Sequence, residues 1–185
     1  MKIDSNLEDM YCSNHFRLRD LINCGKTQQE LSLSNLPKNK ETIDAICKLS
    51  QKILDPIVDK FGFIEITFGF CSSELAKEIK KRPNPHIAPS IDQHVGHETN
   101  TKGNRICKRD GFAVDIKVNG YKSSDIAIWI EKNIEFDRMY FYGDENSLHI
   151  SYAPNPVRQI IDMRPVNAKR LPKVIKDVMR LSFPK

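Results

Sequence analysis

The chain lacks any long hydrophobic run. No stretch approaches the roughly 20 consecutive apolar residues that a membrane-spanning helix needs, so we expect no membrane segment. The first residues, M-K-I-D, have neither an apolar core nor a small-residue cleavage site, which predicts that there is no signal peptide. These two absences favour a cytoplasmic protein.

The chain also lacks the cysteine pattern of a disulfide-rich domain. It has five cysteines, an odd number, and no two of them form a C-x-x-C pair. This pattern argues against a disulfide framework and favours reduced thiols. The five are Cys12, Cys24, Cys47, Cys71 and Cys107.

Strong charge of one sign is absent too. The formal net charge is +5, which favours anionic partners such as nucleic acid, cell-wall polymer or nucleotide. A charge of this size is equally common on ordinary soluble proteins, so it identifies no partner. The 185 residues are 39% hydrophobic, enough for one core, and we predict a single domain.

Apolar spacing predicts one long amphipathic helix over residues 41–61. Pro56 should bend it or start a new turn, and Gly62 should end it. Strands are predicted where β-branched and aromatic residues cluster, at residues 63–68, 111–118, 137–142 and 147–152. Shorter helices are predicted at 15–22, at 74–79 with a serine cap, after a Ser123-Ser124-Asp125 cap, and at 173–181.

These elements predict an α+β fold, a small antiparallel sheet flanked by helices. Residues 1–14 are polar and aperiodic and should form a loosely held arm, and residues 15–162 should form the core. Residues 163–185 should form a basic C-terminal segment with a helix.

Residues that can bind a metal lie near the middle of the chain. His94 is in P-S-I-D-Q-H-V-G-H-E, Asp115 is in D-G-F-A-V-D, and His149 follows in L-H-I-S. Two imidazoles and one carboxylate leave zinc an open fourth position, as a catalytic site requires. Manganese and iron accept the same ligand types, so the sequence does not choose the metal.

The order of several motifs resembles a known family. Along the chain come L-D-P-I-V-D-K-F-G, F-G-F-C-S-S-E-L, D-Q-H, G-F-A-V-D-I, F-D-R-M and L-H-I-S-Y. The order is similar to that of the zinc D-alanyl-D-alanine carboxypeptidases and phage endolysins, whose fold the Hedgehog signalling domain shares. The resemblance implies that His94, Asp115 and His149 bind zinc and that the enzyme cleaves a peptide or amide bond. It also implies that Gly111 and Ala113 let their loop pass close to the metal.

Three departures from the family pattern point to a changed substrate. Twenty residues separate His94 from Asp115, because of a polar, basic insertion at 97–110, whereas the family keeps its two ligands close together. The family's carboxylate-gripping arginine is replaced by Cys71, which cannot supply a bidentate fork. The family's general base, a carboxylate shortly before the last histidine, is missing, and Asn146 lies three residues before His149.

Several residues are candidates for the remaining roles. A carboxylate must take the proton of the attacking water, and Glu98, Glu145 or the adjacent Asp144 can supply it. His97 can replace His94 as a ligand, shuttle a proton or hold the loop. The insertion's basic residues form either a solvated loop or an anion-binding lid. With His97 and Cys71, we take Arg105 and Arg109 as candidate substrate-binding residues.

Three functions therefore remain open. The default is a zinc hydrolase acting on a peptide or cell-wall-like substrate in the cytoplasm, or on the wall through a phage lysis system. The second is the same metal site acting on a phosphorylated, nucleotide or nucleic-acid substrate that the insertion binds. The third is a non-catalytic binding module that a metal stabilises.

Overall fold

Six strands form one sheet in the computed structural model, which describes residues 7–23, 25–83, 92–165 and 171–182. The strands are β1 (Ile64–Phe68), β2 (Phe112–Val118), β3 (Arg138–Phe141), β4 (Leu148–Tyr152), β5 (Gln159–Asp162) and β6 (Lys173–Ile175). Their order across the sheet is β1-β2-β4-β3-β5-β6. All neighbouring pairs are antiparallel except β3 and β5, which are parallel. The predicted mixed α+β class with a mostly antiparallel sheet is therefore confirmed.

Six α-helices accompany the sheet in the described residues. They are α1 (Leu18–Ile22), α2 (Lys26–Leu31), α3 (Lys40–Leu49), α4 (Asp55–Phe61), α5 (Ser73–Lys80) and α6 (Ser123–Asn133). Short 3-10 helices lie at Gln93–Val95 and Val178–Ser182. None of the described helices has both the length and the apolar character needed to cross a membrane.

The long helix predicted over residues 41–61 is present, but its hydrogen-bonding pattern changes from α to π and back within it. A π-helical turn, Ser50–Leu54, joins α3 to α4. Pro56 lies in the first turn of α4, where its missing N–H is tolerated. Gly62 ends the helix with φ +84°, and its N–H donates to the carbonyl of Val58.

The main core lies between this long helix, α6 and one face of the sheet. Side chains alternate between the two faces of a strand. In β2, Val114 and Ile116 point to the core, and in β4 Leu148 and Ile150 do the same. The residues between them must therefore point to the opposite face of the sheet.

The N-terminal segment is anchored along the long helix, which corrects the prediction of a loose arm for its described part. The side-chain amide of Gln51 donates to the carbonyl of Cys12 at 2.8 Å, and the hydroxyl of Ser13 donates to Asp55 at 2.7 Å. The helix residues are four apart and so share one face. Residues 1–6 of the predicted arm lie outside the described residues.

The predicted C-terminal helix at 173–181 is wrong. Lys173–Ile175 forms the edge strand β6, and a 3-10 helix follows. In β6, Ile175 is buried and pairs with Ile160, whereas Val174 is exposed. Val174 and Ile175 therefore point to opposite faces, as neighbours in a strand do. Pairing at the edge of the sheet decides the structure here, although the apolar spacing also fits a helix. Residues 166–170 and 183–185 of this basic segment lie outside the described residues.

One helix start differs from the prediction and another confirms it. Helix α6 receives no cap from its own serines, and Asp144, on the turn between β3 and β4, accepts from the N–H of Ser124 at 3.2 Å. The predicted cap of α5 is present, because the hydroxyl of Ser72 accepts from the N–H of Leu75.

Candidate metal centre

Asp115 and His149 are brought together by strand pairing. They are cross-strand partners in the β2–β4 ladder, and both lie between core residues on their strands. Their side chains therefore extend from the sheet face opposite the helices. His149 Nδ1 lies 2.8 Å from Asp115 Oδ1, which is a hydrogen-bond distance.

His94 reaches the same point from a short 3-10 helix that is fixed on both sides. The side-chain amide of the buried Gln93 donates to the carbonyl of Asp110 at 2.7 Å and to Asp137 Oδ2 at 3.1 Å. At the start of the turn, Asp92 Oδ1 accepts from the N–H of His94 at 3.1 Å. The turn is thereby tied to the end of the insertion and to the sheet.

The ring of His94 has a defined orientation. Its Nδ1 lies 2.9 Å from the carbonyl oxygen of Gly69. A carbonyl can only accept, so Nδ1 must carry a proton and donate it. The other nitrogen, Nε2, lies 3.4 Å from Asp115 Oδ1. A histidine that ligates a metal through one nitrogen commonly donates the other to a backbone carbonyl in this way.

One of the two donor spacings matches that of a small divalent cation. Donor atoms of a tetrahedral zinc site, with bonds of about 2.0–2.1 Å, lie about 3.3–3.4 Å apart. The Nε2–Oδ1 separation of 3.4 Å between His94 and Asp115 matches this value. The rings of His94 and His149 are 4.9 Å apart between centroids and stand edge to face. The structure therefore brings the three predicted side chains together, although His149 Nδ1 and Asp115 Oδ1, at 2.8 Å, are closer than two zinc donors would be.

The group of side chains that can hold a metal ion contains Asp92, which the sequence interpretation missed, and does not contain Asp115. Asp92, His94 and His149 form a group that can hold a metal ion, because their ligand atoms all lie within 4.8 Å of one another. Asp92 is half-buried, and both histidines are buried. The signal was the D-Q-H triplet itself, in which a turn-capping aspartate precedes the histidine by two residues. Two carboxylates therefore flank the histidine pair.

Burial and neighbouring opposite charges shift the pKa values of His94 and Asp115 in opposite directions. Burial lowers the pKa of His94, but the carboxylates of Asp92 and Asp115 overcome it and raise this pKa to about 9. Burial raises the pKa of Asp115, but His94 and His149 overcome it and hold this pKa well below its ordinary value. A cation must therefore displace a proton from the imidazole of His94 when it binds.

Glu98 is committed to a structural position rather than to the site. Its Oε1 accepts from the backbone N–H groups of Lys38 and Asn39, at 3.2 and 3.0 Å, and from the hydroxyl of Thr42 at 2.8 Å. These partners lie at the start of α3, where a carboxylate satisfies unpaired N–H groups and the helix dipole. This position does not support the predicted role of Glu98 as a base.

The hairpin carboxylates are not joined to the ligands either. Glu145 is exposed on the turn between β3 and β4. Within the described ranges, it makes no hydrogen bond or ion pair with His94, Asp115 or His149. Asp144 caps α6 instead, as described above.

The insertion at 97–110 is an ordered loop closed at its base. His97 Nε2 accepts from the N–H of Gly111 at 3.1 Å, so His97 ties the two ends together and does not join the ligands. Arg105 donates to Asp110 Oδ1 at 3.1 Å and to the carbonyl of Arg109 at 3.0 Å. These contacts give His97 and Arg105 structural roles within the loop.

Arg109 is the insertion residue that extends toward the site. Its Nη1 donates to the hydroxyl of Tyr140 at 3.2 Å. The ring of Tyr140 packs edge to face against His149, with 4.8 Å between ring centroids. Tyr140, which the sequence interpretation did not name, therefore connects the insertion to a predicted ligand.

Cys71 is a buried residue whose backbone contacts His94. Its side chain is buried, and its thiol lies 3.7 Å from the carbonyl of Ser72. The backbone N–H of Cys71 donates to the carbonyl of His94 at 3.0 Å. The substrate contact of Cys71 therefore stays a prediction, whereas its backbone supports a proposed ligand.

Comparison with known proteins adds no assignment. No family model, no curated protein and no solved structure matches this chain. The resemblance to the D-Ala-D-Ala peptidases and to the Hedgehog-type fold stays a prediction from the sequence motifs.

Proposed function

We propose that this chain is a zinc-dependent hydrolase that cleaves a peptide or amide bond in the cytoplasm. The single observation that supports it is the convergence of His94 Nε2, Asp115 Oδ1 and His149 Nδ1 from three separate segments. A structural ion pair between His149 and Asp115 would not need His94. The Nδ1 of His94 is already hydrogen-bonded to a backbone carbonyl, which is the arrangement typical of a metal-binding histidine.

In this proposal, zinc would polarise the substrate carbonyl and acidify a water. His94 and His149 would hold the ion through ring nitrogens, and Asp115 would supply negative charge against it. Asp92 is the remaining carboxylate of the group, and we assign it the base role that Glu98 and Glu145 were predicted to fill. Asp92 accepts the proton of the attacking water and returns it to the leaving amine.

A second candidate is an anionic substrate, such as a phosphorylated compound, a nucleotide or a nucleic acid. The observation that favours it is the Arg109–Tyr140–His149 chain of contacts, in which a guanidinium bonds the tyrosine whose ring packs against His149. A guanidinium binds phosphate or carboxylate oxygens well. The third candidate, a non-catalytic module, keeps the metal for stability alone.

A comparison of substrates separates these candidates. Zinc-loaded protein would be assayed on peptides ending in D-Ala-D-Ala and on nucleotides and single-stranded DNA, with and without a chelator. The main proposal predicts chelator-sensitive cleavage of the peptides. Turnover of the nucleotides or DNA alone would support the second candidate, and zinc binding without turnover of any substrate would support the third.

A further inference from the structure

Asn35, in the coil between α2 and α3, is a buried residue with a fully used amide. Its Nδ2 donates to the carbonyl of Ile22 at 2.8 Å and to the carbonyl of Phe70 at 2.7 Å. Its Oδ1 accepts from the N–H of Ser72 at 3.0 Å. Only 2% of the residue is exposed. One side chain thus joins the end of α1 to the segment that follows β1.

That segment, residues 69–72, is the support of His94. The carbonyl of Gly69 accepts from His94 Nδ1 at 2.9 Å, and the N–H of Cys71 donates to the carbonyl of His94 at 3.0 Å. The two remaining residues of the segment, Phe70 and Ser72, are the ones that Asn35 holds. Contacts to His94 and contacts to Asn35 therefore alternate along four consecutive residues.

We propose that Asn35 is a positioning residue for the metal site. By fixing residues 69–72, it holds the carbonyl that orients the ring of His94, so that Nε2 faces Asp115. Without Asn35 the segment loses hydrogen bonds to two of its four residues, and the ring loses its fixed support. Outer hydrogen-bond partners of metal ligands typically contribute about 10–100-fold in metal affinity. This inference rests on the proposed metal site.

A purely structural role for Asn35 makes a different prediction. In that case its loss lowers stability, because buried carbonyls lose their donor, but leaves the metal affinity of the folded protein unchanged. Gln28 offers a matched control. It is also a buried amide, and its Nε2 donates to the carbonyl of Leu33 at 3.1 Å and to Asn23. Within the described part of the chain, its side chain makes no hydrogen bond to residues 69–72 or to His94.

The experiment measures zinc affinity by competition with a chelating dye, and urea unfolding in parallel. The variants are Asn35→Ala, Gln28→Ala and Asn35→Ser, the last in case the alanine variant does not fold. We expect zinc affinity to fall about 10–100-fold in the Asn35 variants and to stay unchanged in Gln28→Ala. Equal affinities in the wild type and the folded Asn35 variants would overturn the inference.

A second readout keeps the inference separate from the proposed function. The ring ¹⁵N chemical shifts of His94 in metal-free protein report the hydrogen bond at Nδ1 directly. We expect them to change in the Asn35 variants and not in Gln28→Ala. If the wild type binds no zinc, the proposed function fails, and these shifts decide the role of Asn35. Unchanged shifts would overturn that role.

Discussion

His149 and Asp115 are cross-strand partners, and the Nδ1 of one lies 2.8 Å from the Oδ1 of the other. The pairing results from the register of two strands that are separated by helix α6 and strand β3 in the chain. Because the contact is a hydrogen bond, a proton occupies the position between two of the proposed zinc ligands. A metal ion and this proton therefore compete for the same donor atoms.

The first prediction concerns pH. The pKa of His94 is raised from 6.5 to about 9, so its contribution to stability is complete below pH 6.5 and is lost as pH rises through 9. In metal-free protein, the free energy of unfolding should fall by on the order of 3 kcal/mol across this range. Zinc affinity should rise over the same range, because the proton leaves. Urea unfolding and dye competition at several pH values measure both.

A His94→Gln variant is the control for this pH dependence. It removes the titrating group and should flatten the stability profile between pH 6.5 and 9. A wild-type profile that is already flat over this range would contradict the assignment of the raised pKa to His94.

The second prediction concerns Asp92. In Asp92→Asn the shape is kept and the proton acceptor is lost, so zinc should remain bound while metal-dependent turnover falls by about 10²–10⁴-fold. Asp125→Asn, which changes an exposed aspartate on α6, should have no effect on either quantity. Loss of zinc from Asp92→Asn would instead make Asp92 a fourth ligand that occupies the open position.

The third prediction tests the anionic-substrate candidate through Arg109. Binding of inorganic phosphate to zinc-loaded protein, measured by calorimetry, should weaken roughly 10-fold or more in Arg109→Gln, because a charge-assisted hydrogen bond is lost. The neighbouring Lys108 is exposed, and Lys108→Gln should change little. Equal effects of the two variants would show that only the overall charge matters, and would count against this candidate.

The fourth prediction concerns the close approach at Gly111. This residue has φ +89°, and a Cβ there would overlap the backbone carbonyl of Tyr152. Gly111→Ala should therefore lower the free energy of unfolding by about 3 kcal/mol or more. Gly103 has φ +77° with open space around it, so Gly103→Ala carries only the conformational penalty, about 1 kcal/mol. Similar losses in the two variants would contradict the overlap argument.

The parts of the fold that were predicted correctly are those whose structure is indicated by residues close together in the sequence. The long helix has apolar residues on one stripe and a glycine at its end, and β2 and β4 are rich in β-branched and aromatic residues. The C-terminal strand β6 was missed because its three residues also fit a helical spacing. Pairing with β5 decides the outcome, and that partner is distant in the sequence.

The site shows the same division between local and long-range information. Histidine and aspartate motifs identified three side chains that the structure brings together. The role of a carboxylate, however, depends on which groups the fold places next to it. Glu98 follows a histidine in the sequence, yet its partners are N–H groups at the start of α3, whereas Asp92 lies beside both histidines.

The most direct test of the metal site is the metal content of purified protein. We would compare the wild type with His149→Ala and with His15→Ala. His15 lies away from the site and pairs with Asp59 on α4. We expect stoichiometric zinc in the wild type and in His15→Ala, and its loss in His149→Ala. No stoichiometric metal in the wild type, or metal that persists in His149→Ala, would contradict this expectation.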